Sequence, residues 1–193
     1  MSNIIEEISR IDTNIFLYLN SLHSPVMDTV MWWISYKLTW IPLYLLIIYF
    51  ISKKLKWKAL ITVGFLILLI TLSDQISYHF FKESIQRLRP CHNPMISDIV
   101  HLVKNHCGGK YGFVSSHASN SFALAIFTIL FFKNRNYLIF ILIWATVVSY
   151  SRIYLGVHYP GDVICGAVLG SLLGIIVYYL YFRFMNKYHK TLQ

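Results

Sequence analysis

The sequence predicts an all-α membrane protein, a bundle of five to six transmembrane helices. Of its 193 residues, 56% are hydrophobic and only 13% are charged, which is too apolar for a soluble domain of this length. A second observation is that apolar runs alternate with short basic clusters, a pattern typical of membrane proteins. The formal charge of +9 is therefore expected to face an anionic lipid surface rather than a nucleic acid.

Residues 1–25 are predicted to form an amphipathic helix that precedes a membrane domain over residues 26–193. The segment is not apolar enough to span a bilayer, so we expect it to lie in the membrane interface. Packing of the same helix on the bundle is an alternative compatible with this position. The predicted helix carries one apolar stripe, formed by Ile4, Ile8, Ile11, Ile15, Tyr18 and Leu22.

The first two spans are expected within residues 26–53 and 59–79. Lys37 interrupts the first of them. Either residues 27–35 form a short interfacial segment, or one long tilted helix lets the Lys37 side chain reach the surface. Near the end of the second span, Asp74 lies at helical spacing from Lys82 and is expected to support it or to pair with other polar groups.

Three further spans are expected at about 118–132, 137–152 and 160–182. The last contains Gly166, Gly170 and Gly174, a repeat of small residues that predicts close packing against another helix. Basic clusters at 53–58 and 133–135, between spans, and at 183–190, after the last span, are predicted to be cytoplasmic. The segments at the other ends of the spans then face the exterior or the periplasm of a bacterial inner membrane.

The stretch 151–162, SRIYLGVHYPGD, brings an arginine, a histidine and an aspartate within eleven residues of one another. Pro160 suits the first position of a helix, and Asp162 then falls in the first turn, where a negative charge is favoured. The carboxylate is close enough in sequence to orient His158, and an oriented histidine can act as a base or a nucleophile. Arg152 can bind an anion with two parallel hydrogen bonds. A capped helix with a polar turn is the structural alternative.

Two other stretches carry residues that can bind an anion. In KESIQRLRP, residues 82–90, the seven-residue spacing predicts that Lys82 and Arg89 project from one helix face, and Arg87 is expected to pair with Glu83. In FVSSHASN, residues 113–120, the serines predict a helix N-terminus, whose N–H groups bind anions. The residues expected there are Ser115, Ser116 and, in the first turn, His117.

Together the three stretches resemble the type 2 phosphatidic acid phosphatase (PAP2) family, which shares its site with vanadium haloperoxidases. The shared pattern is K-x6-RP, then S-x-H, then SR-x5-H-x3-D, and it covers residues 82–162. The second stretch departs from the family's P-S-G-H, since Val114 and Ser116 replace the proline and the glycine. The resemblance implies that residues 26–193 form a PAP2-type phosphatase domain.

The same resemblance implies a metal-independent phosphatase without a cofactor, in which His158 is the nucleophile and forms a phosphohistidine. Asp162 would hold the His158 ring, and His117 would protonate the leaving oxygen and then activate water. The phosphate oxygens would be bound by Lys82, Arg89, Arg152 and the N–H groups near Ser115 and Ser116.

An outward-facing site suggests undecaprenyl diphosphate, recycled for cell-wall synthesis, as the substrate. Lipid A phosphates, phosphatidylglycerol phosphate and phosphatidic acid are alternatives, and a lipid transporter is the non-enzyme alternative. The expected partners are the bilayer and a lipid phosphate, with no nucleic acid. The sequence leaves the oligomeric state open.

Cys91 and Cys107 lie in the polar loop that the charge pattern places outside the cytoplasm, where disulfides persist. We therefore predict a disulfide between them. The alternatives are two unpaired cysteines in a flexible loop, and a zinc site built from these two cysteines with His92 and His106. Cys165, in the last span, is expected to be a free and buried thiol.

Overall fold

The computed structural model describes residues 2–191, and within this range every regular element is helical, which confirms the predicted fold class. Short 3₁₀ turns and one π-helical turn connect the α-helices. In chain order the helices are α1 (Ser2–Ser21), α2 (Pro25–Ser35), α3 (Ile41–Leu55), α4 (Ala59–Gln75), α5 (Glu83–Ile85), α6 (Ser116–Phe132), α7 (Arg135–Tyr154) and α8 (Pro160–Thr191).

By length and composition, the described residues contain three helical stretches able to cross a membrane, at Lys37–Ile85, Arg135–Tyr154 and Pro160–Lys187. The first divides into α3 and α4 at Lys56, where a φ of 54° interrupts the helix. Helix α6 is a shorter apolar helix of 17 residues and extends about 25 Å at 1.5 Å per residue. These five apolar helices agree with the predicted number of spans.

The segment before the first span is a separate short helix, as one of the two predicted alternatives has it. Helix α2 starts with Pro25 in its first turn, and the Ser24 side chain accepts a hydrogen bond from Met27 N. The helix ends at Ser35, Tyr36 is extended, and a 3₁₀ turn from Lys37 to Trp40 leads into α3. Lys37 therefore lies in a turn and not inside a long tilted helix.

Helices α6 and α8 lie against each other along the glycine repeat of α8, as its spacing predicted. A Cβ atom at Gly166 would lie 2.6 Å from the Ser115 carbonyl oxygen, and a Cβ atom at Gly174 would lie 2.8 Å from the carbonyl oxygen of Ala123. At Gly170 a Cβ atom would overlap the Ser119 carbonyl oxygen. Any larger side chain would push the two helices apart.

Helix α1 packs on the bundle through the face that carries Phe16 and Asn20, not through the predicted apolar stripe. The predicted apolar stripe is exposed, with Ile4 65% and Tyr18 66% accessible, whereas Phe16 and Asn20 are buried. The Asn20 amide nitrogen donates to the Tyr154 carbonyl oxygen at 2.9 Å, and its oxygen accepts from His101 N at 2.8 Å. The helix thus combines contact with the protein and an apolar face that is free to contact lipid.

The helix that carries Lys82 ends earlier than predicted. Helix α4 continues through a π-helical turn, Ile76–Lys82, and α5, and Gln86 then adopts a left-handed conformation with φ 52°. Arg89 is extended, since a residue that precedes proline disfavours the α conformation. The prediction that Lys82 and Arg89 share one helix face is therefore wrong, because Arg89 approaches from an extended segment.

The loop between α5 and α6 is linked by a disulfide between Cys91 and Cys107, whose Cα atoms are 6.0 Å apart. Neither sulfur can then be a thiolate ligand, which removes the basis of the alternative zinc site. Cys165 is free but exposed on α8, so the prediction of a buried thiol is wrong. The glycines of α8, spaced four residues apart, form the face that contacts α6. Cys165 lies outside this contact face and is therefore exposed.

The segments that carry the predicted site residues lie at one end of the helix bundle, and the basic turns lie at the other end. Lys82, the N-termini of α6 and α8, and the C-terminus of α7 lie at one end. The α3–α4 turn lies at the other end, where Lys54 Nζ donates to the carbonyl oxygen of Phe131 at 3.4 Å, beside the α6–α7 turn. The alternation predicted from the sequence therefore corresponds to two chemically different ends of the bundle.

Candidate active site

His158 lies in the turn between α7 and α8 and contacts an acidic and a basic partner. Its Nδ1 is 3.4 Å from Asp162 Oδ2, and its Nε2 is 3.0 Å from Arg89 Nη1. A carboxylate only accepts hydrogen bonds and a guanidinium only donates them, so Nδ1 carries the proton and Nε2 carries the lone pair. This is the tautomer that a nucleophilic Nε2 requires.

The environment of His158 keeps the ring neutral. Burial lowers the pKa of His158 well below its usual range, and the positive charges of Arg89, Arg152 and Lys82 lower it further. A neutral imidazole keeps its lone pair available at physiological pH. The same positive charges would attract an anionic group to the Nε2 side of the ring.

Asp162 is fixed by hydrogen bonds from several directions. Pro160 starts α8, and Asp162 Oδ2 accepts from the backbone N–H of Tyr159 at 3.1 Å. Its Oδ1 accepts from Arg87 Nη1 at 2.8 Å, and its backbone oxygen accepts from Ser115 N at 3.0 Å. These bonds connect the first turns of α6 and α8.

Two guanidinium groups, of the buried Arg89 and the partly buried Arg152, lie beside His158. Besides the ring, Arg89 Nη1 contacts the Val157 carbonyl oxygen at 3.1 Å, and Arg152 Nη1 donates to Ser35 Oγ. Among the described residues, the Nε atoms of Arg89 and Arg152 have no hydrogen-bond partner although both are buried. Unpaired buried donors are costly, and phosphate oxygens are acceptors of the kind they lack.

The N-terminus of α6 completes this cluster. Ser115 caps the helix through its side chain, which accepts from Ala118 N at 3.5 Å. Lys82 Nζ donates to Ser116 Oγ at 2.8 Å. Ser116, which replaces the glycine of the family pattern, therefore contacts Lys82 of the first stretch. Asp74 Oδ1 accepts a hydrogen bond from Asn120 Nδ2 at 3.4 Å and also lies within electrostatic range of Lys82.

His117 lies between two cavities and near both Arg152 and His158. One cavity, of about 460 Å³, has an apolar interior formed by α3, α4, α6 and α7. The other, of about 530 Å³, is bounded by Trp32, His106 and Arg152. Ser35, Lys37 and His117 line both cavities, so a molecule that extends from one into the other passes His117.

Arg87 and Asp12 also belong to this cluster, and the sequence reasoning missed them. Arg87 pairs with Asp12 and Asp162 at 2.7 and 2.8 Å, whereas Glu83 pairs with His79 at 3.2 Å, so the predicted Glu83–Arg87 pair is wrong. The pair fails because the helix ends at Ile85, before the i,i+4 spacing can apply. The available signal was Asp12, Phe16 and Asn20 at helical spacing.

All eight residues predicted for catalysis and phosphate binding therefore lie in one cluster at one end of the bundle. The direct contacts link Arg89 with His158, Asp162 with Ser115, and Lys82 with Ser116. Arg152 and His117 lie within electrostatic range of these groups. Such a set of cations, imidazoles and helix N–H groups can neutralise a phosphoryl group and provide a nucleophile.

Comparison with known proteins gives a consistent result. The model of the PAP2 superfamily matches residues 63–186. The lipid A 4'-phosphatase of Bacteroides thetaiotaomicron is 44% identical over 179 residues, which are 91% of this chain and 79% of that protein. The lipid A 4'-phosphatase of Porphyromonas gingivalis is 40% identical over 182 residues, which are 93% of this chain and 77% of that protein.

A solved structure has the same fold. The transmembrane PAP2-type phosphatidylglycerolphosphate phosphatase from Bacillus subtilis gives a TM-score of 0.66 at 26% identity, covering 89% of this chain and 84% of its own. The predicted helical membrane fold and the predicted lipid phosphatase are thereby confirmed. The chain belongs to the PAP2 superfamily, and the matched region contains all three of the stretches that form the cluster around His158.

Proposed function

We propose that the chain is a lipid A 4'-phosphatase that hydrolyses a phosphate monoester through a phosphohistidine at His158. The observation that carries the chemical part is the position of His158 Nε2 beside the buried guanidinium of Arg89, with Asp162 on the opposite ring nitrogen. The two lipid A 4'-phosphatases, similar over about nine tenths of this chain, support the choice of lipid. They favour lipid A over undecaprenyl diphosphate, our first hypothesis.

Phosphate binding begins the cycle. The phosphoryl oxygens accept hydrogen bonds from Lys82, Arg89 and Arg152, whose unpaired Nε atoms supply two of the donors. The N–H groups at the start of α6, near Ser115 and Ser116, add the positive end of a helix dipole. In binding the phosphate, Arg89 moves its hydrogen bond away from His158 Nε2 and frees the lone pair for attack.

In the first chemical step, His158 Nε2 attacks phosphorus and the bond from phosphorus to the ester oxygen breaks. His117, protonated once the bound phosphate dianion offsets the nearby cations, gives its proton to that oxygen, so the lipid leaves as an alcohol. The product on the protein is a phosphohistidine. Asp162 holds the proton on Nδ1 and stabilises the charge that the ring acquires.

In the second step, the now neutral His117 takes a proton from water, and the water oxygen attacks phosphorus. The bond from phosphorus to Nε2 breaks, which returns the lone pair to His158 and releases inorganic phosphate. His117 ends the cycle protonated. None of these steps requires a metal, so turnover is expected to persist in excess EDTA.

The cavities beside His117 support a lipid as the leaving group. An apolar chain can occupy the 460 Å³ cavity, where Ile47, Leu66 and Leu124 contribute aliphatic surface, while the phosphate lies among the cations. The phosphate ester oxygen then lies near His117, which lines this cavity and carries the proton for the leaving group. A soluble phosphate ester would gain no contact from this surface.

The membrane arrangement is part of the same proposal. The basic turns at the end opposite the site are cytoplasmic, so the site faces the periplasm from the inner membrane. Residues 26–193 form the phosphatase domain, and residues 1–25 lie in the outer interface with the exposed stripe of α1 toward lipid.

A substrate panel tests the proposal. Purified protein in mixed micelles is given equal surface concentrations of lipid A 4'-monophosphate, lipid A 1-monophosphate, undecaprenyl diphosphate, phosphatidylglycerol phosphate and phosphatidic acid, and phosphate release is measured. We expect kcat/KM to be highest for the 4'-monophosphate. A higher value for undecaprenyl diphosphate would restore the alternative lipid, and no release from any of the five would contradict the proposal.

A further inference from the structure

Asp12, on the N-terminal helix, is connected to the proposed nucleophile, His158, through three successive contacts. We propose that Asp12 is a positioning residue for the reaction: it holds Arg87 against Asp162 and thereby fixes Asp162 and His158. This inference rests on the proposed function, since it takes the roles of Asp162 and His158 from there. It makes α1 part of the catalytic apparatus and not only a membrane contact.

The contacts form a continuous series of hydrogen bonds from Asp12 to His158. Asp12 Oδ2 accepts from Arg87 Nη2 at 2.7 Å, and Arg87 Nη1 donates to Asp162 Oδ1 at 2.8 Å. Asp162 Oδ2 then accepts from His158 Nδ1 at 3.4 Å. The two terminal nitrogens of one rigid guanidinium group therefore connect two carboxylates, so the position of one carboxylate fixes the direction of the bond to the other.

Arg87 needs this second carboxylate because it is not enclosed by the protein. Its side chain is 24% exposed, compared with 14% for Asp12 and 0% for Asp162. Burial alone would lower the pKa of Arg87, but the charges of Asp162 and Asp12 raise it, so the guanidinium stays charged between them. It also stacks on the Tyr159 ring, 4.1 Å from the ring centre. Without Asp12, water could compete for the outer half of the guanidinium.

Asp12 has a second contact with the same region. Its Oδ1 accepts from the backbone N–H of Gly161, in the first turn of α8, at 2.8 Å. A Cβ atom at Gly161 would lie 2.8 Å from Asp12 Oδ2, so the glycine allows the carboxylate to approach. Asp12 therefore fixes both Arg87 and the turn of α8 that carries Asp162.

The rest of α1 holds Asp12 in place independently of Arg87. One and two turns further along the helix, Phe16 packs against the Tyr159 ring at 5.4 Å and Asn20 hydrogen-bonds the end of α7. Both of these side chains are buried. An anchored helix can transmit a fixed position to Arg87, which a carboxylate on a mobile N-terminus could not do.

The first test separates the charge of Asp12 from its volume. Asp12→Asn keeps the shape and the acceptor for Gly161 N but removes the charge opposite Arg87. We expect kcat on the best substrate of the panel to fall about tenfold with KM within about twofold, because a displaced nucleophile slows chemistry more than binding. Asp12→Glu should recover most of the loss. The control is Glu7→Gln, which removes an exposed carboxylate of the same helix that pairs with Arg10 at 3.4 Å.

A double-mutant cycle then tests the route through Arg87. Arg87→Gln is expected to lower kcat about 100-fold, and the double variant with Asp12→Asn should be no slower than Arg87→Gln alone. Independent losses, about 1,000-fold in the double variant, would overturn the inference, as would a kcat for Asp12→Asn within about twofold of the unchanged protein. If Asp12→Asn does not fold, Arg87→Lys provides the test, since it keeps the charge but cannot contact both carboxylates.

A spectroscopic measurement tests the positioning without any turnover. With ¹⁵N-labelled histidine in micelles, the Nδ1–H signal of His158 is assigned by its loss in His158→Gln. We expect this signal to shift or broaden in Asp12→Asn and Arg87→Gln and to stay unchanged in Glu7→Gln. An unchanged His158 signal in Asp12→Asn would overturn the inference even if the protein hydrolyses lipid A, whereas no hydrolysis with a shifted signal would count against the proposed function alone.

Discussion

The two sides of α6 differ in how they pack. Toward α8, the helix backbone meets three glycines so closely that a Cβ atom at Gly166 or Gly174 would lie under 3 Å from a carbonyl oxygen. Toward α3 and α4, the same helix borders a cavity of about 460 Å³. The close-packed side carries Ser115 next to Asp162, and the open side carries Ser116 and His117.

This difference separates the fixed part of the site from the part that must admit a substrate. The proposed nucleophile, His158, and Asp162 belong to the turn before α8 and to its first residues, which the close contact with α6 holds rigidly. The proposed proton donor, His117, borders a space that a lipid can enter. Changes on the close-packed side should therefore affect every substrate, and changes in the cavity should affect lipids selectively.

The largest effect is expected at the end of the close-packed side. His158→Asn should lower turnover by about 10⁴-fold or more on the lipid substrate and on a small soluble phosphate ester alike, since both need the nucleophile. The measurement is phosphate release with each substrate. His79→Asn, an exposed histidine on the π-helical turn, is the control and should leave both rates unchanged. A loss of turnover on the lipid alone would contradict the prediction that changes on the close-packed side affect every substrate.

A bulky residue within the close-packed contact should have the next largest effect. Gly170→Leu would place side-chain atoms against the backbone of Ser119, and we expect the free energy of unfolding to fall by about 3 kcal/mol and turnover to fall about 100-fold on every substrate. Thermal unfolding in detergent and phosphate release measure the two effects. Gly64→Leu on α4 is the matched control, since nothing lies within 4 Å of a Cβ atom there.

Filling the cavity should have a smaller and selective effect. Leu66→Trp occupies space that a lipid chain would use, so kcat/KM should fall about tenfold for the lipid and stay within about twofold for a small soluble ester. Leu68→Trp, on the exposed side of the same helix, is the control. Equal losses on both substrates would show that the cavity affects the chemistry and not lipid binding.

The smallest effect on rate is expected from the disulfide. Replacing both Cys91 and Cys107 by serine removes the disulfide and releases the loop over the site, but it leaves His158 and its partners in place. In the chain-entropy model the loss of this disulfide lowers the free energy of unfolding by about 3 kcal/mol. Turnover should fall by about threefold or less while the protein unfolds at a lower temperature. Mass spectrometry of non-reduced peptides checks the bridge itself, and two freely alkylated thiols would contradict it.

Much of the fold followed from local patterns. The apolar runs and the turn lysines predicted the spans, and the repeat of Gly166, Gly170 and Gly174 predicted the contact with α6, because each depends on composition or spacing within one helix. The helix boundaries around Lys82 could not be predicted from such local patterns. The π-helical turn ends at Lys82, which contacts Ser116, and the left-handed Gln86 contacts Tyr111, so both involve residues distant in sequence. No pattern within the stretch 82–90 predicts them.

The site was predictable in its motifs but not in its supporting contacts. His158 and Asp162 could be found from their spacing, and Arg89 from the resemblance to the PAP2 pattern, because phosphate chemistry restricts which residue types can do each task. The partner of Arg87 could not, because Asp12 is 75 residues away in sequence and belongs to a helix whose apolar stripe suggested the opposite face. In a membrane protein the apolar side of a helix faces lipid, so its few polar residues indicate the protein contact.

Transfer of phosphate to His158 is the central claim and can be measured directly. Lipid A carrying ³²P at the 4'-phosphate is mixed with the protein and quenched within milliseconds, and the labelled peptide is identified. We predict a transient label on His158 that is stable in alkali, lost in acid and missing in His158→Asn. Label on another residue, or phosphate release by His158→Asn at an undiminished rate, would contradict the account.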